Sequence, residues 1–242
     1  MIKINDLTSF TAPLKSLKNG INSIIFSVDS EGRLKVDTKS QDTSQIANIK
    51  WDKKVVEVPS DMEKFGIYNL GEFLTALEMF GSDSKITATF EDNKLSLAYS
   101  KSEESEVKYN LSDVTLIQEG PEGPKNAIKF LTNLKLDGNF FKKVKNISAS
   151  LNVNTLKFEC REGTISFLIS DKFFHSHVVK ETLVKNSKCK TDFDVFVNIE
   201  KLNIIPEGKE LTININEKIF EFNLEEKDKT SLRYFVAAMV IE

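Results

Sequence analysis

The sequence repeats one order of structural signals, and this duplication constrains the fold more than any other feature. In the first copy, from Phe65 to Leu111, a short apolar strand leads to an N-cap residue, an apolar helix and a hairpin with a polar tip. The second copy, from Phe193 to Ala238, gives the same order about 125 to 129 positions later. A repeat of half the chain predicts two similar domains and excludes a solenoid of short units.

The helix of the first copy has clear boundary signals. Asn69 and Glu72 have the spacing of an N-cap and its capping-box partner, and we expect Gly81 to end the helix. The hairpin that follows alternates apolar and polar residues over 86–90 and 95–99. The residues at helical spacing between these signals, which predict the buried face, are Leu70, Phe73, Leu74 and Leu77.

The second copy predicts a shorter helix from Asn198 to Ile205, ended by Pro206, and hairpin strands over 211–215 and 219–224. A weaker echo precedes each copy. It predicts one helix near residues 5–19 and another from Asp137 to about Ala149. Asp6 or Thr11 could cap the first of these, and we expect Pro13 to favour the later start, since proline is best tolerated in a first turn.

Composition and the repeat together define an α+β protein of two tandem similar domains, each with two helices packed on antiparallel sheet. The 242 residues are 40% hydrophobic and 29% charged, which is typical of a folded globular chain. The segment 118–124 holds two glycines and two prolines and predicts a linker. We therefore expect an N-terminal domain over 1–117, a linker over 118–127 and a C-terminal domain over 128–242.

Charge and cysteine usage limit the partners and the compartment. The formal net charge is only −3, so contacts with nucleic acid must come from local clusters of positive charge. No apolar run approaches the roughly 20 residues of a membrane span, and residues 1–20 lack a signal-peptide core. We expect a soluble intracellular protein in which Cys160 and Cys189 are reduced thiols more than a disulfide framework.

The sequence offers little for catalysis. His175 and His177 are the only histidines, and a pair on one side of a strand is more simply a surface feature than a metal site. No nucleophile elbow, Walker loop or dinucleotide fingerprint is present. The acidic run at Glu103, Glu104 and Glu106 predicts a solvated loop. We expect no enzyme activity, no cofactor and no metal.

The order of elements, more than any single motif, resembles the DNA polymerase sliding clamps. The stretch Ile67-Tyr68-Asn69-Leu70, with Phe73-Leu74 and Leu77, looks like the second helix of the first clamp domain, most closely that of the T-even phage clamp. The run from Tyr234 to Ala238 resembles the last strand of clamps, including the proliferating cell nuclear antigen of eukaryotes. The similarity covers nearly the whole chain.

This resemblance implies the DNA clamp fold and a function in DNA replication. It implies a processivity factor that assembles as a head-to-tail ring, with a trimer expected and a dimer also open. Duplex DNA would pass through the ring without base-specific contacts, and a DNA polymerase and a clamp loader would be the protein partners. The phage similarity places the protein in the cytoplasm of an infected bacterial host.

The resemblance also assigns residues to roles. Lysines at inner-helix positions would face DNA phosphates, and a solvated helix face is the alternative for Lys142, Lys143 and Lys145. These lysines are Lys15, Lys18, Lys142, Lys143, Lys145 and Lys201. Counted against the acidic side chains on the same helices, they predict a tunnel that is only weakly positive.

Two further surfaces are implied, one for partner peptides and one between subunits. Core packing is the alternative for each apolar residue of the first surface. The residues expected to hold a partner peptide are Leu116, Ile117, Val236, Ala237, Ala238, Val240 and Ile241. The strands expected to pair between subunits, Val107 to Leu111 and Phe173 to Lys180, contain Val107, Lys108, Tyr109, Leu111, Phe173, His175, His177 and Lys180.

Two other classes of protein fit the same pattern. A structural or assembly protein rich in β-strands, of the kind found in virions, would use the duplication for symmetry and would thread no DNA. An enzyme of nucleic-acid metabolism with an unrecognised site is the second. Only the clamp predicts that retention on DNA depends on the topology of the DNA.

Overall fold

The structure, a computed structural model, describes residues 1–82, 84–91, 93–100, 102–123, 127–171, 178–185, 187, 189, 191–226 and 229–240, without the side chains of 91 and 102–105. The chain divides into two compact units. The first is Met1–Gly123 with Glu225–Arg233, and the second is Pro124–Leu224 with Tyr234–Glu242. Each unit combines helical segments with antiparallel strands, so the α+β class predicted from the sequence is confirmed.

The first unit contains helices α1 and α2 and two sheets. Its elements are β1 (Ile2–Ile4), α1 (Leu7–Leu17), β2 (Ile24–Val28), β3 (Leu34–Lys39), β4 (Gln45–Trp51), β5 (Val56–Glu57), β6 (Phe65–Ile67), α2 (Leu70–Glu78), β7 (Ile86–Glu91), β8 (Lys94–Tyr99), β9 (Ser102–Asn110) and a 3₁₀ turn (Val114–Leu116). One sheet has the order β5-β1-β7-β8-β9, and the other places β4, β3, β2 and β6 side by side. The returning residues Thr230–Arg233 lie beside β4.

The second unit repeats this architecture. Its elements are β10 (Thr132–Leu136), α3 (Phe140–Leu151), β11 (Thr155–Arg161), β12 (Thr164–Ser170), β13 (Val179–Val184), β14 (Phe193–Asn198), a 3₁₀ helix (Ile199–Ile204), β15 (Leu211–Ile215), β16 (Ile219–Glu226) and β17 (Thr230–Ala237). Residues 225–226 of β16 and 230–233 of β17 belong to the first unit. One sheet has the order β13-β12-β11-β14, and in the other β10, β15, β16 and β17 follow one another.

Helix α1 begins earlier than the proline predicts. Asp6 is the N-cap, and its carboxylate accepts hydrogen bonds from the backbone N–H and the hydroxyl of Ser9, at 2.9 and 2.6 Å. Of the two candidate caps, the structure has Asp6, so the later start at Thr11 that Pro13 favours is wrong, and Pro13 lies inside the helix. The Asp6 carboxylate thus satisfies a backbone N–H of the first turn, which has no hydrogen-bond partner within the helix.

Helix α2 follows the sequence signals at its start but not at its end. The Asn69 side chain accepts the N–H of Glu72 at 3.2 Å, which confirms the N-cap, and the predicted apolar face is buried. The helix ends at Glu78 with Met79 as its C-cap, so Gly81 lies beyond the end and does not cap it.

The helical segments of the second unit also differ from the prediction at their ends. Helix α3 starts after Asn139, because the Asp137 carboxylate is used in the preceding turn. It ends at Asn152, whose φ of 54° is the left-handed conformation that closes many helices. The predicted short helix after Asn198 is a 3₁₀ helix. The acidic run predicted as a loop lies in strand β9.

Aromatic packing fixes the helices of the first unit to the sheet. The ring of Phe26 on β2 lies 6.1 Å from Phe10 of α1 and 6.1 Å from Phe73 of α2, centroid to centroid. Trp51 and Phe65 complete the cluster, at 5.9 and 4.9 Å from Phe26. The apolar sides of α1 and α2 are thereby held inward, so their polar residues are presented on the outer side.

In the second unit, phenylalanine rings fix helix α3 to the strands. Phe140 of α3 packs edge-on against Phe167 of β12 at 5.2 Å, and Phe141 packs against Phe222 of β16 at 5.6 Å. Val144, one turn further on, is also buried. The lysines of α3 occupy the opposite side of the helix as a result.

Candidate nucleic-acid and subunit interfaces

Two lysines on the helical surface of the first unit differ in how closely they approach a carboxylate. Lys15 on α1 forms an ion pair with Glu78 on α2, with Nζ and Oε1 2.9 Å apart. The hydrogen bond and charge of Lys15 hold the pKa of Glu78 below its ordinary value, so this carboxylate is ionised at neutral pH. Lys18 is exposed and forms no ion pair among the described residues, but its charge also lowers the pKa of Glu78, more weakly than Lys15 does.

The helical surface of the second unit shows the same division. Lys143 pairs with Glu181 on β13, and Lys145 Nζ lies 2.7 Å from Glu207 Oε1. Lys142 is exposed and, within the described part of the chain, has no ion-pair partner. Lys201 lies half-buried on the 3₁₀ helix.

The pairing of these lysines with particular carboxylates was not predicted from the sequence. Glu78 is 63 positions from Lys15, and Glu207 is 62 positions from Lys145, so no local spacing connects the partners. Of these carboxylates, only Glu78 has a position that the sequence places on a helix, because it lies in the last turn of the predicted helix. The helical surfaces of both units are closer to neutral than a count of lysines indicates.

Strand β9 lies at one edge of the five-stranded sheet, and β13 lies at one edge of the four-stranded sheet. Within the described residues, each is therefore paired on one side, as a strand that joins subunits requires. β9 contains Val107 to Tyr109, and β13 contains Lys180. Phe173, His175 and His177 lie outside the described residues.

The register of β9 shows which backbone groups face the open edge. Leu111 donates its N–H to Asn93 O at 2.9 Å, so the N–H of every second residue before it, including Tyr109, is directed towards β8. The N–H of Lys108 is directed away from β8. The Tyr109 side chain turns inward, and its hydroxyl donates to Asn69 O at 3.0 Å while its ring packs on Phe73.

Some of the residues expected to hold a partner peptide are exposed, and others are buried. Leu116 and Val240 are 73% and 80% exposed, while Ile117 and Val236 are buried, which favours core packing for that pair. Ala237 is exposed and Ala238 is half-buried. Ile241 lies outside the described residues.

A cleft of about 680 Å³ in the first unit was not predicted from the sequence. Phe90, which is 41% exposed, and the buried Phe65 contribute rings that meet edge-on at 5.2 Å. The other apolar lining residues are Pro59, Met62, Leu111 and Val114. Phe90 continues the apolar alternation of Ile86 and Ala88, so the sequence pattern does not indicate that its ring is exposed.

The predicted linker begins as a structured segment. Glu119 forms an isolated bridge with Thr38, and the N–H of Gly120 donates to Asp37 O at 2.9 Å. A Cβ atom at Gly120 would lie 2.5 Å from the Thr38 backbone, so this position requires glycine. Asn48 donates to Pro121 O at 2.8 Å and fixes the next residue. Residues 119–121 are thus held against β3 and β4.

Among the described residues, no group of three or more His, Cys, Asp or Glu side chains is placed to bind a metal ion. None of the helices in the described ranges is both long and apolar enough to cross a membrane.

Helices held on antiparallel sheets, repeated in two units, define the DNA clamp fold. Solved structures confirm this over the whole chain. A proliferating cell nuclear antigen from Entamoeba histolytica has a TM-score of 0.78 and 12% sequence identity, with 98% of each chain covered.

Two further structures agree. A. fulgidus PCNA bound to the C-terminal region of FEN-1 has a TM-score of 0.77 and 12% identity, with all of both chains covered. The PCNA2–PCNA3 complex from Sulfolobus tokodaii has a TM-score of 0.76 and 13% identity, with 98% of this chain and 99% of that one covered. No protein-family model and no curated protein matches the sequence. The predicted clamp fold is confirmed, and the closer likeness to the T-even phage clamp stays a prediction.

Proposed function

We propose that this protein is a sliding clamp, which encircles duplex DNA and tethers a DNA polymerase to it without reading the base sequence. The observation that carries the proposal is the clamp fold across the full chain, with TM-scores of 0.76 to 0.78. A tether of this kind needs topology and phosphate contacts only, since phosphate contacts position a protein on DNA and carry no sequence information. It acts as a scaffold and not as an enzyme.

The helical surfaces support a loose hold on DNA. Lys15, Lys143 and Lys145 are paired with carboxylates, so Lys18 and Lys142 supply the least compensated charge for phosphates. Few counterions are then released on binding, and the electrostatic part of the affinity is small. A ring held mainly by its closure slides freely and depends on a loader to open it.

The edge strands support a ring closed head to tail. β9 and β13 are each paired on one side within the described residues, and the pairing of β9 of one subunit with β13 of the next would satisfy both edges. We propose a homotrimer, with a dimer as the alternative, built from domains over 1–117 and 128–242.

A surface for partner peptides is the next part of the proposal. The A. fulgidus PCNA structure contains a bound FEN-1 C-terminal region, which supports recruitment of partners through a short segment. In the first unit we propose the exposed Leu116 for contacts with partner peptides, and in the second unit the exposed Val240 with Ala237 and Ala238. A replicative polymerase and a clamp loader are the proposed partners, in the cytoplasm of a phage-infected bacterium.

Processive synthesis tests the proposal. A DNA polymerase from the same source is started on a primed circle and challenged with a DNA trap, with and without this protein and a clamp loader. We expect the length of product from one binding event to increase about tenfold or more, because a tethered polymerase rebinds before it diffuses away. A structural assembly protein of the virion type would leave the product length unchanged.

A further inference from the structure

The chain has two cysteines, and the fold of the second unit brings them together. Cys160 lies near the end of β11, and Cys189 lies in the segment that connects β13 to β14. Cys189 is close enough to Cys160 to raise the pKa of its thiol, and both cysteines are free thiols. Two cysteines 29 positions apart in sequence therefore meet in space.

Backbone contacts on both sides of Cys189 place it over β11, independently of the sulfur contact. The N–H of Ser187 donates to Gly163 O at 2.7 Å, and the Asp192 carboxylate accepts the N–H of Glu162 at 3.0 Å. Glu162 and Gly163 form the turn that follows β11, and both have left-handed φ angles, of 48° and 75°. The connecting segment is thus anchored to the β11–β12 turn at two points.

The two thiols differ in their environments. Cys160 is fully buried, in register with Ile165 on β12 and Phe193 on β14. Burial, and then the neighbouring Cys189, raises the pKa of the Cys160 thiol. Cys189 is partly exposed, and its Sγ lies 3.2 Å from Thr191 O. Reagents from solution therefore reach Cys189 first.

We propose that Cys160 and Cys189 form a reversible intramolecular disulfide, with a low-molecular-weight disulfide such as glutathione disulfide as the oxidant. The Cys189 thiol loses its proton and attacks one sulfur of glutathione disulfide, which forms a mixed disulfide and releases one glutathione. The Cys160 thiol then loses its proton and attacks Sγ of Cys189, which closes the internal bond and releases the second glutathione. The two protein thiols are oxidised, and glutathione disulfide is reduced to two molecules of glutathione.

The bond would attach the β13–β14 connection covalently to β11. It closes a loop of about 30 residues, for which the lost chain entropy of the unfolded state predicts a rise of about 7 to 15 °C in the unfolding temperature. The site stands apart from the proposed clamp function, because neither thiol belongs to the helical surfaces or to the edge strands.

The full-length protein is incubated with glutathione disulfide under native conditions, and the products are analysed by intact mass and by non-reducing peptide mapping. We expect the parent protein to lose two hydrogen atoms, to link the peptides of Cys160 and Cys189, to gain thermal stability and to revert with dithiothreitol. Cys160→Ala should accumulate a glutathione adduct on Cys189. Cys189→Ser, which leaves the core intact, should take up no glutathione.

Three results would overturn the proposal. The first is a parent protein that keeps both thiols free after incubation. The second is a stable glutathione adduct on Cys189 without closure of the internal disulfide. The third is disulfide formation between chains. If Cys160→Ala fails to fold, the parent protein and Cys189→Ser still decide the question, because linked peptides in the first and no adduct in the second are required together.

Discussion

Lys15 on α1 and Glu78 on α2 form an ion pair with Nζ and Oε1 2.9 Å apart. A lysine at a position expected to face DNA is thus compensated by a carboxylate on the neighbouring helix. Glu78→Gln removes the compensation and keeps the shape of the side chain. We expect the variant to bind DNA more tightly, with a salt dependence of log K that is steeper by about one unit or less for each subunit.

The matched control is Glu63→Gln, which removes one negative charge from an exposed position in the loop before β6. It should leave the salt dependence close to that of the parent. Fluorescence anisotropy with a labelled duplex, measured across a salt titration, gives both slopes. A Glu78→Gln slope equal to the parent slope would show that Lys15 does not face DNA.

Lysines without ion-pair partners should matter most for DNA association. Replacing Lys15, Lys18, Lys142, Lys143 and Lys145 together with alanine should slow loading or shorten polymerase runs, and each lost contact should lower the salt slope by about one unit or less. Lys18→Ala/Lys142→Ala should account for more of this loss than Lys143→Ala/Lys145→Ala, because the second pair is already compensated. Processive synthesis by the five-fold variant that matches the parent at every salt concentration would refute the assignment.

Proline in strand β9 tests the subunit interface, and the register selects the position. Tyr109 directs its N–H towards β8, so Tyr109→Pro would break the sheet within the subunit as well as any interface. Lys108→Pro removes an N–H that is directed away from β8 and leaves the internal ladder intact. We expect it to convert the assembly to folded monomers in sedimentation velocity measurements.

Lys108→Ala is the control, since it removes the side chain and keeps the backbone donor. It should sediment as the parent oligomer. If Lys108→Pro also sediments as the parent oligomer, β9 is not the strand that joins the subunits.

Leu116 is exposed, and its neighbour Ile117 is buried. Substitutions at the two positions therefore test partner binding and stability separately. Leu116→Ala should weaken binding of a polymerase-derived peptide and change the unfolding free energy by no more than about 0.5 kcal/mol. Ile117→Ala should cost about 2 to 5 kcal/mol of stability, because its side chain is buried beside Gly66. Calorimetric titration and urea denaturation measure the two effects. A peptide affinity that falls for Phe90→Ala and not for Leu116→Ala would place the peptide in the cleft around Phe90.

Ion pairs on one sheet of the second unit predict how stability depends on pH. Burial tends to raise the pKa values of Glu159 and Asp194, but hydrogen bonds from Lys157, together with Lys180 for Glu159 and Arg161 for Asp194, outweigh burial and lower both. A lowered folded-state pKa adds stability above the unfolded-state value and loses it as pH falls. We expect the urea unfolding free energy to decline below about pH 4.5.

Glu159→Gln should flatten this decline, since the variant has no carboxylate to protonate at that position. Glu217→Gln, at the exposed turn between β15 and β16, should retain the slope of the parent. If the unfolding free energy of Glu159→Gln depends on pH as that of the parent does, the ion pairs of Glu159 contribute nothing to the acid sensitivity.

Local periodicity was enough to predict the fold class and several elements. The apolar face of α2 and the cap at Asn69 follow from spacing within one helix, and both agree with the structure. Helix ends were less predictable. The start of α1 depends on the Asp6 carboxylate reaching Ser9, which outweighs the preference of Pro13 for a first turn.

The chemistry of the candidate surfaces depends on contacts between distant parts of the sequence. No spacing rule joins Lys15 to Glu78 or Cys160 to Cys189, because the fold alone brings these pairs together. The packing of the predicted linker also depends on residues that are distant in the sequence. Gly120 fits against Thr38 only once β3 is formed, so a glycine that indicates flexibility in the sequence is a point of close packing in the structure.

Encirclement of DNA is tested most directly by retention on a closed DNA circle before and after a single cut. The protein is loaded on a nicked circle with a clamp loader, isolated with the DNA by gel filtration at moderate salt, and passed over the column again after one restriction cut. We predict co-elution with the closed circle and loss from the cut DNA, restored when bulky protein blocks are placed on both ends. Equal retention on closed and cut DNA would contradict encirclement.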